Sequence, residues 1–134
     1  EINEIDWVVN IFRKYKCDLM LMHTVSTYPS LDGNLNLKCI NTLKERYKLP
    51  IGYSGHEVGV SPSIIAAALG AAAVERHITL DRAMYGSDQS ASLETSGLRQ
   101  LCETLRKIPS ILGSPVKKIL ESEMEVASKL RYWI

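Results

Sequence analysis

Three short, nearly continuous apolar runs constrain the fold of this chain more than any other feature. They cover residues 18–23, 49–54 and 71–78, and a polar loop follows each of them. Apolar residues at helical spacing occupy the segments between the runs. Strands that alternate with helices form a parallel sheet covered by helices. The sequence therefore predicts an α/β fold that starts with a helix and continues as three β-α units.

The helical segments carry recognisable start and stop signals. Ser61-Pro62 predicts a helix start with Ser61 as the N-cap, and Gly70 predicts its C-terminal cap. Pro109 is expected to kink or end the helix that follows the third strand. A further helix is predicted near residues 115–130.

Two architectures fit this order of elements: a doubly wound open sheet, and part of a (β/α)₈ barrel. A complete barrel typically needs about 250 residues, whereas this chain has 134 residues and three predicted strands. As a barrel it would be the last portion. The chain begins with Glu1 and a helical pattern starts almost at once, so we expect a piece of a longer protein.

Composition excludes several classes of function. The formal net charge of +1, with 46% hydrophobic and 23% charged residues, is typical of a globular domain and gives no reason to expect nucleic acid or an anionic membrane. No apolar stretch reaches the roughly 20 residues that span a bilayer. The three cysteines are widely spaced and form no zinc or disulfide pattern. Reduced, buried thiols in a cytoplasmic protein are therefore expected.

Two histidines follow successive strands. His56 comes after the second strand, and His77 lies at the end of the third, 21 positions later. Active sites of parallel α/β proteins lie at the carboxyl ends of the strands. If the two strands are neighbours, they lie about 4.8 Å apart, and the two imidazoles could bind one divalent ion, although the spacing does not select the metal. Each histidine could instead be an ordinary loop or capping residue.

Small and polar residues accompany these histidines. Gly55 would let the backbone approach a ligand, and Ser54 and Ser26 could donate to a phosphate oxygen. An ordinary turn would use the same residues. The loop 79–94 exceeds the usual length of about 12–15 residues, which favours a functional role. Within it, Asp88 could bind sugar hydroxyls or serve as a base.

Taken together, these residues resemble the sialic acid synthase family, which comprises N-acetylneuraminate synthases and related nonulosonic acid synthases. The matching stretches are HTVSTYP (23–29), LPIGYSGHEVG (49–59), ALGAAAVERHITLDRAMYGSDQSASLE (68–94) and ILGSPVKK (111–118). The resemblance implies a (β/α)₈ barrel that condenses phosphoenolpyruvate with an N-acylated amino sugar, usually N-acetylmannosamine. The expected products are a nine-carbon 2-keto sugar acid and phosphate.

The resemblance also implies roles for individual residues. His56 and His77 would bind the divalent metal, Mn²⁺ or Mg²⁺, which polarises the sugar aldehyde. Glu75 would place a carboxylate beside that metal, and we expect Glu75 and Asp88 to be the catalytic carboxylates.

The same resemblance implies the substrate-binding residues. Ser54 and Ser26 would contact the phosphate of phosphoenolpyruvate, and Tyr28 and Asp88 would line the sugar site. The substrates would then be the partners of this site, and the full-length protein is expected to be a homodimer.

The resemblance further implies how the chain is divided. Residues 1–134 would be the C-terminal part of the synthase barrel. The amino-terminal half, whose lysines grip phosphoenolpyruvate, and the small antifreeze-like domain after the barrel would both be absent. The chain stops at Trp133-Ile134, about where the linker to that domain would begin. We therefore expect the 134-residue chain to be inactive alone.

Three other interpretations stay open. A sibling synthase would use a legionaminic, pseudaminic or KDN-type precursor as acceptor. A metal-dependent hydrolase would use both histidines to activate water, but Glu75 or Asp88 would have to move onto the metal as a third ligand. A non-catalytic domain would only associate with itself or a partner.

Overall fold

The structure, a computed structural model, describes residues 1–131. The helices α1 to α5 cover Ile2–Lys14, Cys39–Tyr47, Ser61–Ala68, Thr95–Leu112 and Glu121–Leu130. The strands β1 to β3 cover Leu21–Thr24, Ile51–Gly55 and Val74–Arg76. Short 3₁₀ helices lie at Asp32–Asn34 and Gln89–Ala91. The expected linker start at Trp133-Ile134 lies outside the described residues.

The three strands form one parallel sheet in the order β1-β2-β3. Thr24 pairs with Ser54 at the carboxyl end of β1, and Ser54 pairs in turn with Glu75 on β3. Because the strands are parallel and in sequence order, their carboxyl ends meet at one edge of the sheet. The predicted parallel α/β fold is confirmed. No helix within residues 1–131 is both long enough and apolar enough to cross a membrane.

The two faces of the sheet have different environments, because successive side chains of a strand point to opposite sides. Ile51 and Tyr53 point to the helix face, where the core is completed by Val9, Ile40, Leu43, Tyr47 and Ala66. Gly52 and Ser54 point to the opposite face, which we call the open face. A side chain on Gly52 would collide there with Met22 of β1.

All three strands are shorter and begin later than predicted, and β2 covers Ile51–Gly55 rather than 49–54. β1 begins at Leu21 rather than at residue 18, and β3 covers Val74–Arg76 rather than 71–78. Only the central strand β2 is buried along its whole length, whereas β1 is partly buried. Strand length depends on which backbone groups find a partner on β2, and an apolar run does not encode that.

The predicted start and C-terminal cap of α3 are found at the expected place, but the N-cap residue and the effect of Pro109 differ from the prediction. Val60 occupies the N-cap position and Ser61 is already helical, with Pro62 in the first turn. Gly70 adopts a φ of +93° just after α3, as its predicted role requires. Pro109 does not end α4, which continues to Leu112. Pro109 has no N–H to donate to the carbonyl four residues earlier, so α4 lacks that one bond and still continues through its last turn.

Candidate active site

His56 and His77 lie side by side at the carboxyl edge of the sheet. Each follows the last residue of its strand, and the pairing of Gly55 with Arg76 puts both at the same level. Their ring centroids are 5.2 Å apart with an interplanar angle of 63°. The structure therefore brings together two residues that are 21 positions apart in the sequence.

The ring of His56 is held in one orientation. Its Nδ1 lies 2.9 Å from the carbonyl oxygen of Val25. A carbonyl can only accept, so Nδ1 carries the hydrogen and Nε2 keeps its lone pair for a ligand. The backbone is fixed as well, because Ser30 N–H donates to the carbonyl of His56 at 2.9 Å. Only 6% of His56 is exposed.

His77 is more accessible and faces a carboxylate. Its Nδ1 lies 3.8 Å from Oδ2 of Asp88, and both side chains are partly exposed. Leu93 N–H donates to the carbonyl of His77 at 2.8 Å, which folds the loop 79–94 back against the strand end. This return of the loop is what brings Asp88 to the histidines.

Tyr28 completes a three-ring cluster with His56 and His77. Its ring centroid lies 4.3 Å from that of His56 and 5.6 Å from that of His77. Tyr28 remains 42% exposed, so one part of the ring is open to a ligand. The sequence resemblance implied a sugar contact for Tyr28, but no sequence pattern indicated that it packs on both histidines.

Ser54 and Glu75 form a second polar group on the open face. The Ser54 hydroxyl donates to Oε1 of Glu75 at 2.7 Å, and only 7% of Ser54 is exposed. A bound phosphate would therefore compete with Glu75 for the single hydroxyl proton of Ser54. Ser26 is exposed in the loop after β1, two residues beyond Thr24.

The separation of the two histidine rings is compatible with a shared metal ion. Two imidazoles that each bind one ion at about 2.1 Å have ring centroids about 5 Å apart, and the observed separation is 5.2 Å. Within residues 1–131, no group of three or more His, Cys, Asp and Glu side chains is arranged to hold an ion. The described chain thus offers two imidazole ligands, and the hydrolase alternative would still need Glu75 or Asp88 to move.

Sequence reasoning missed a buried ion pair on the helix face. Arg76 Nη1 lies 3.0 Å from Oε1 of Glu57, and their side chains are 2% and 0% exposed. Burial lowers the pKa of Arg76, and the Glu57 carboxylate acts in the opposite direction. Glu57 and Arg76 each stand next to one of the two histidines in the sequence. This adjacency could have indicated the ion pair.

The fold and the site define a class: a parallel α/β protein with a polar site at the carboxyl edge of its sheet. The sequence profile described as the NeuB family matches residues 1–117. The chain belongs to the NeuB family, which confirms the resemblance to sialic acid synthases.

Synthases that are named for different sugar-acid products are similar in sequence to this chain. N,N'-diacetyllegionaminic acid synthase of Campylobacter jejuni is 38% identical over 127 residues, which are 92% of this chain and 38% of that protein. N-acetylneuraminate-9-phosphate synthase of Homo sapiens is 41% identical over 124 residues, or 92% of this chain and 34% of that protein. The chain thus spans between a third and two fifths of the length of these relatives.

A solved structure shares the fold. The crystal structure of N-acetylneuraminic acid (sialic acid) synthetase from Leptospira borgpetersenii, in complex with citrate, superposes with a TM-score of 0.84 at 38% identity. The match covers 98% of this chain and 47% of that chain. The described fold is therefore that of one part of a sialic acid synthetase structure.

Proposed function

We propose that the gene product containing this chain condenses phosphoenolpyruvate with N-acetylmannosamine or a related N-acylated amino sugar. The products would be a nine-carbon 2-keto sugar acid and phosphate. The observation that carries the proposal is the pair of imidazoles, 5.2 Å apart, at the carboxyl edge of a parallel sheet. Membership of the NeuB family supports it. We also propose that the sheet is the last part of a (β/α)₈ barrel, with residues 1–134 as its C-terminal portion.

His56 and His77 would hold the divalent metal, Mn²⁺ or Mg²⁺. When bound, the ion supplies Lewis acidity toward the sugar aldehyde. His56 presents its Nε2 because Nδ1 is committed to the carbonyl of Val25. The Asp88 carboxylate near Nδ1 of His77 favours the same orientation of the second ring.

Ser54 and Ser26 would bind the phosphate of phosphoenolpyruvate. Both are hydroxyl donors close to the carboxyl ends of neighbouring strands. The Ser54 hydroxyl donates to Glu75, with 2.7 Å between the two oxygens, so it has to turn away from Glu75 to reach the phosphate. Once Ser54 turns to the phosphate, the Glu75 carboxylate is free to accept a hydrogen bond from the second substrate.

Tyr28 and Asp88 would line the sugar site beside the histidines. The exposed part of the Tyr28 ring offers an apolar surface to the carbon face of the sugar. The Asp88 carboxylate is partly exposed and can accept hydrogen bonds from sugar hydroxyls.

The chemistry requires these polar groups to act together. Carbon 3 of the enol ester attacks the aldehyde, water adds at carbon 2, and cleavage of the carbon–oxygen bond releases phosphate. Negative charge persists on phosphate and carboxylate throughout, and hydrogen-bond donors stabilise it. The serine hydroxyls would serve that purpose in this chain.

The test is metal-dependent condensation by the purified gene product. Phosphate release and product formation from phosphoenolpyruvate and N-acetylmannosamine are measured with Mn²⁺, together with Mn²⁺ affinity by calorimetry. His56→Ala and His77→Ala should abolish both. His23→Ala is the matched control, because His23 bonds to the carbonyl of Leu35 away from the three-ring cluster. Retained metal affinity and activity in His56→Ala would refute the proposal.

The main alternative is a sibling synthase that uses another acceptor sugar, since the relatives include legionaminic, neuraminate and pseudaminic acid synthases. A panel of precursors of these sugars and of KDN, compared by kcat/KM, separates them.

We further propose that the full-length protein is a cytoplasmic homodimer without nucleic-acid or membrane partners. Its mass in solution by sedimentation tests the dimer.

A further inference from the structure

The buried pair of Glu57 and Arg76 lies directly behind the two histidines. Glu57 follows His56 in the sequence and Arg76 precedes His77. Because strand side chains alternate, the histidines belong to the open face and the ion pair to the helix face. The pair therefore lies at the same level of the sheet as the histidines, on its other side.

The Glu57 carboxylate gathers donors from three elements. Tyr53 of β2 donates to Oε2 at 2.8 Å, and Ser63 of α3 donates to Oε1 at 2.9 Å. Arg76 of β3 donates to Oε1 at 3.0 Å. Burial, followed by the hydrogen bond with Glu57, raises the pKa of Tyr53, so its hydroxyl stays a donor. The carboxylate thus connects the ends of both strands to the helix behind them.

Arg76 connects the strand end to the loops. Nη1 donates to the carbonyl of Gly59 at 2.6 Å, and Nη2 donates to the carbonyls of Glu57 at 2.6 Å and Ala91 at 3.3 Å. Ala91 belongs to the loop that carries Asp88. One guanidinium therefore ties β3 to the segment after β2 and to the loop that brings a carboxylate to His77.

Gly55 shows that the backbone is adapted to this pair. A Cβ on Gly55 would lie 2.6 Å from Oε2 of Glu57 and 3.0 Å from Cδ of Arg76. Gly55 and Arg76 are partners in the sheet register. The absence of a side chain at Gly55 therefore leaves the room that the ion pair fills.

We propose that Glu57 and Arg76 are positioning residues that set the separation of His56 and His77, and with it the metal affinity. The proposal rests on the proposed metal role of the histidines. Metal sites accept ligand distances only within about 0.2 Å of their preferred values. A network that fixes both strand ends therefore controls whether the two rings can share an ion.

A purely structural role makes a different prediction. If the pair only stabilised the fold, variants would unfold at lower temperature, but the folded protein would bind metal as tightly as the unmodified one. Metal affinity measured well below the unfolding temperature thus separates the two roles.

The experiment uses the natural gene product that contains this chain. Glu57→Gln removes one charge, and the double variant Glu57→Gln/Arg76→Met removes both, which avoids an unpaired buried charge. Ser63→Ala keeps both charges and removes the hydroxyl that donates to Glu57 and accepts from Arg76 at 3.1 Å. The control is Asp6→Asn/Arg46→Met, which removes an exposed ion pair elsewhere on the chain.

The measurements are Mn²⁺ affinity by calorimetry, the absorption spectrum of the Co²⁺-loaded protein, and the unfolding temperature without metal. Outer-shell changes typically weaken metal binding about 10- to 100-fold. We expect about tenfold weaker Mn²⁺ binding and an altered Co²⁺ spectrum in the two charge variants. For Ser63→Ala we expect a weakening of about threefold, which is less than that range because the variant removes one hydroxyl and keeps both charges. The control should keep the unmodified affinity and spectrum.

Two results would overturn the inference, and they differ. Unmodified Mn²⁺ affinity and Co²⁺ spectrum in every variant that folds, Ser63→Ala included, would reduce the pair to a structural role and leave the proposed function intact. Absence of Mn²⁺ binding in the unmodified protein, or its persistence in His56→Ala, would overturn the proposed function and this inference together.

Discussion

Gly55→Ala is the sharpest test of how tightly the site is packed. The added methyl group would lie 2.6 Å from Oε2 of Glu57, 2.8 Å from Cε1 of Tyr53 and 3.0 Å from Cδ of Arg76. All three neighbours are held by hydrogen bonds or packing on the helix face, so no flexible side-chain end can swing away. The φ of Gly55 lies outside the left-handed region, and the substitution therefore adds no backbone strain.

The magnitude follows from two opposing effects. Overpacking a well-filled interior costs about 1–3 kcal/mol, and the upper end applies because the methyl meets three fixed atoms. Replacing glycine by alanine returns about 0.4–1 kcal/mol by restricting the unfolded chain. We expect Gly55→Ala to lower the free energy of unfolding by about 2 kcal/mol, and each 1.4 kcal/mol corresponds to about a tenfold change in the unfolding equilibrium constant.

The assay is urea unfolding followed by circular dichroism on the gene product that contains this chain. Gly33→Ala is the matched control, since no atom lies within 4 Å of its added methyl group and its φ is not left-handed. It should change the free energy of unfolding by less than about 0.5 kcal/mol. The packing argument is wrong if Gly55→Ala and Gly33→Ala unfold at the same urea concentration.

Three further predictions follow from local geometry. Gly97→Ala in α4 adds a methyl in ordinary contact distance and should stabilise the protein by about 0.5–1 kcal/mol in the same urea assay; destabilisation would contradict this. Hydrogen bonds from Arg46 hold the pKa of Asp6 below 3.8, so their contribution to stability is present above that pH and is lost as the pH falls through the folded-state pKa. Arg46→Met should raise the Asp6 pKa in a carboxyl NMR titration, and an unchanged pKa would refute the assignment. Asp88→Asn should weaken calorimetric Mn²⁺ binding about tenfold through the lost partner of His77, and unaltered affinity would show that Asp88 does not orient that ring.

Much of the fold was predictable because it depends on local patterns. The alternation of apolar runs with helical periodicity determined the order of elements and the parallel sheet. Gly70 was predictable because its positive φ is a property of one residue. The first and last residues of β1 and β3 were not predictable, because they depend on pairing with β2. Of the two outcomes expected at Pro109, a kink or a helix end, the end is wrong, because α4 continues to Leu112. The expected burial of the three cysteines is wrong as well, because Cys17 and Cys39 are exposed and Cys102 is half-buried.

The candidate site was likewise predictable only in part. The sequence alone placed His56 and His77 at the ends of successive strands. The strand order β1-β2-β3 in the structure then made these ends neighbours. The resemblance named Ser26, Ser54 and Tyr28 as substrate contacts, and their roles remain predictions.

Only the tertiary structure decided which side chains touch. Tyr28 packs on both histidines because the loop after β1 folds over the sheet edge, and Ser54 meets Glu75 because of the strand register. The Glu57–Arg76 pair forms because both residues point to the helix face and are buried there. Such contacts join residues far apart in sequence, and their energy depends on burial and distance, which no local pattern specifies.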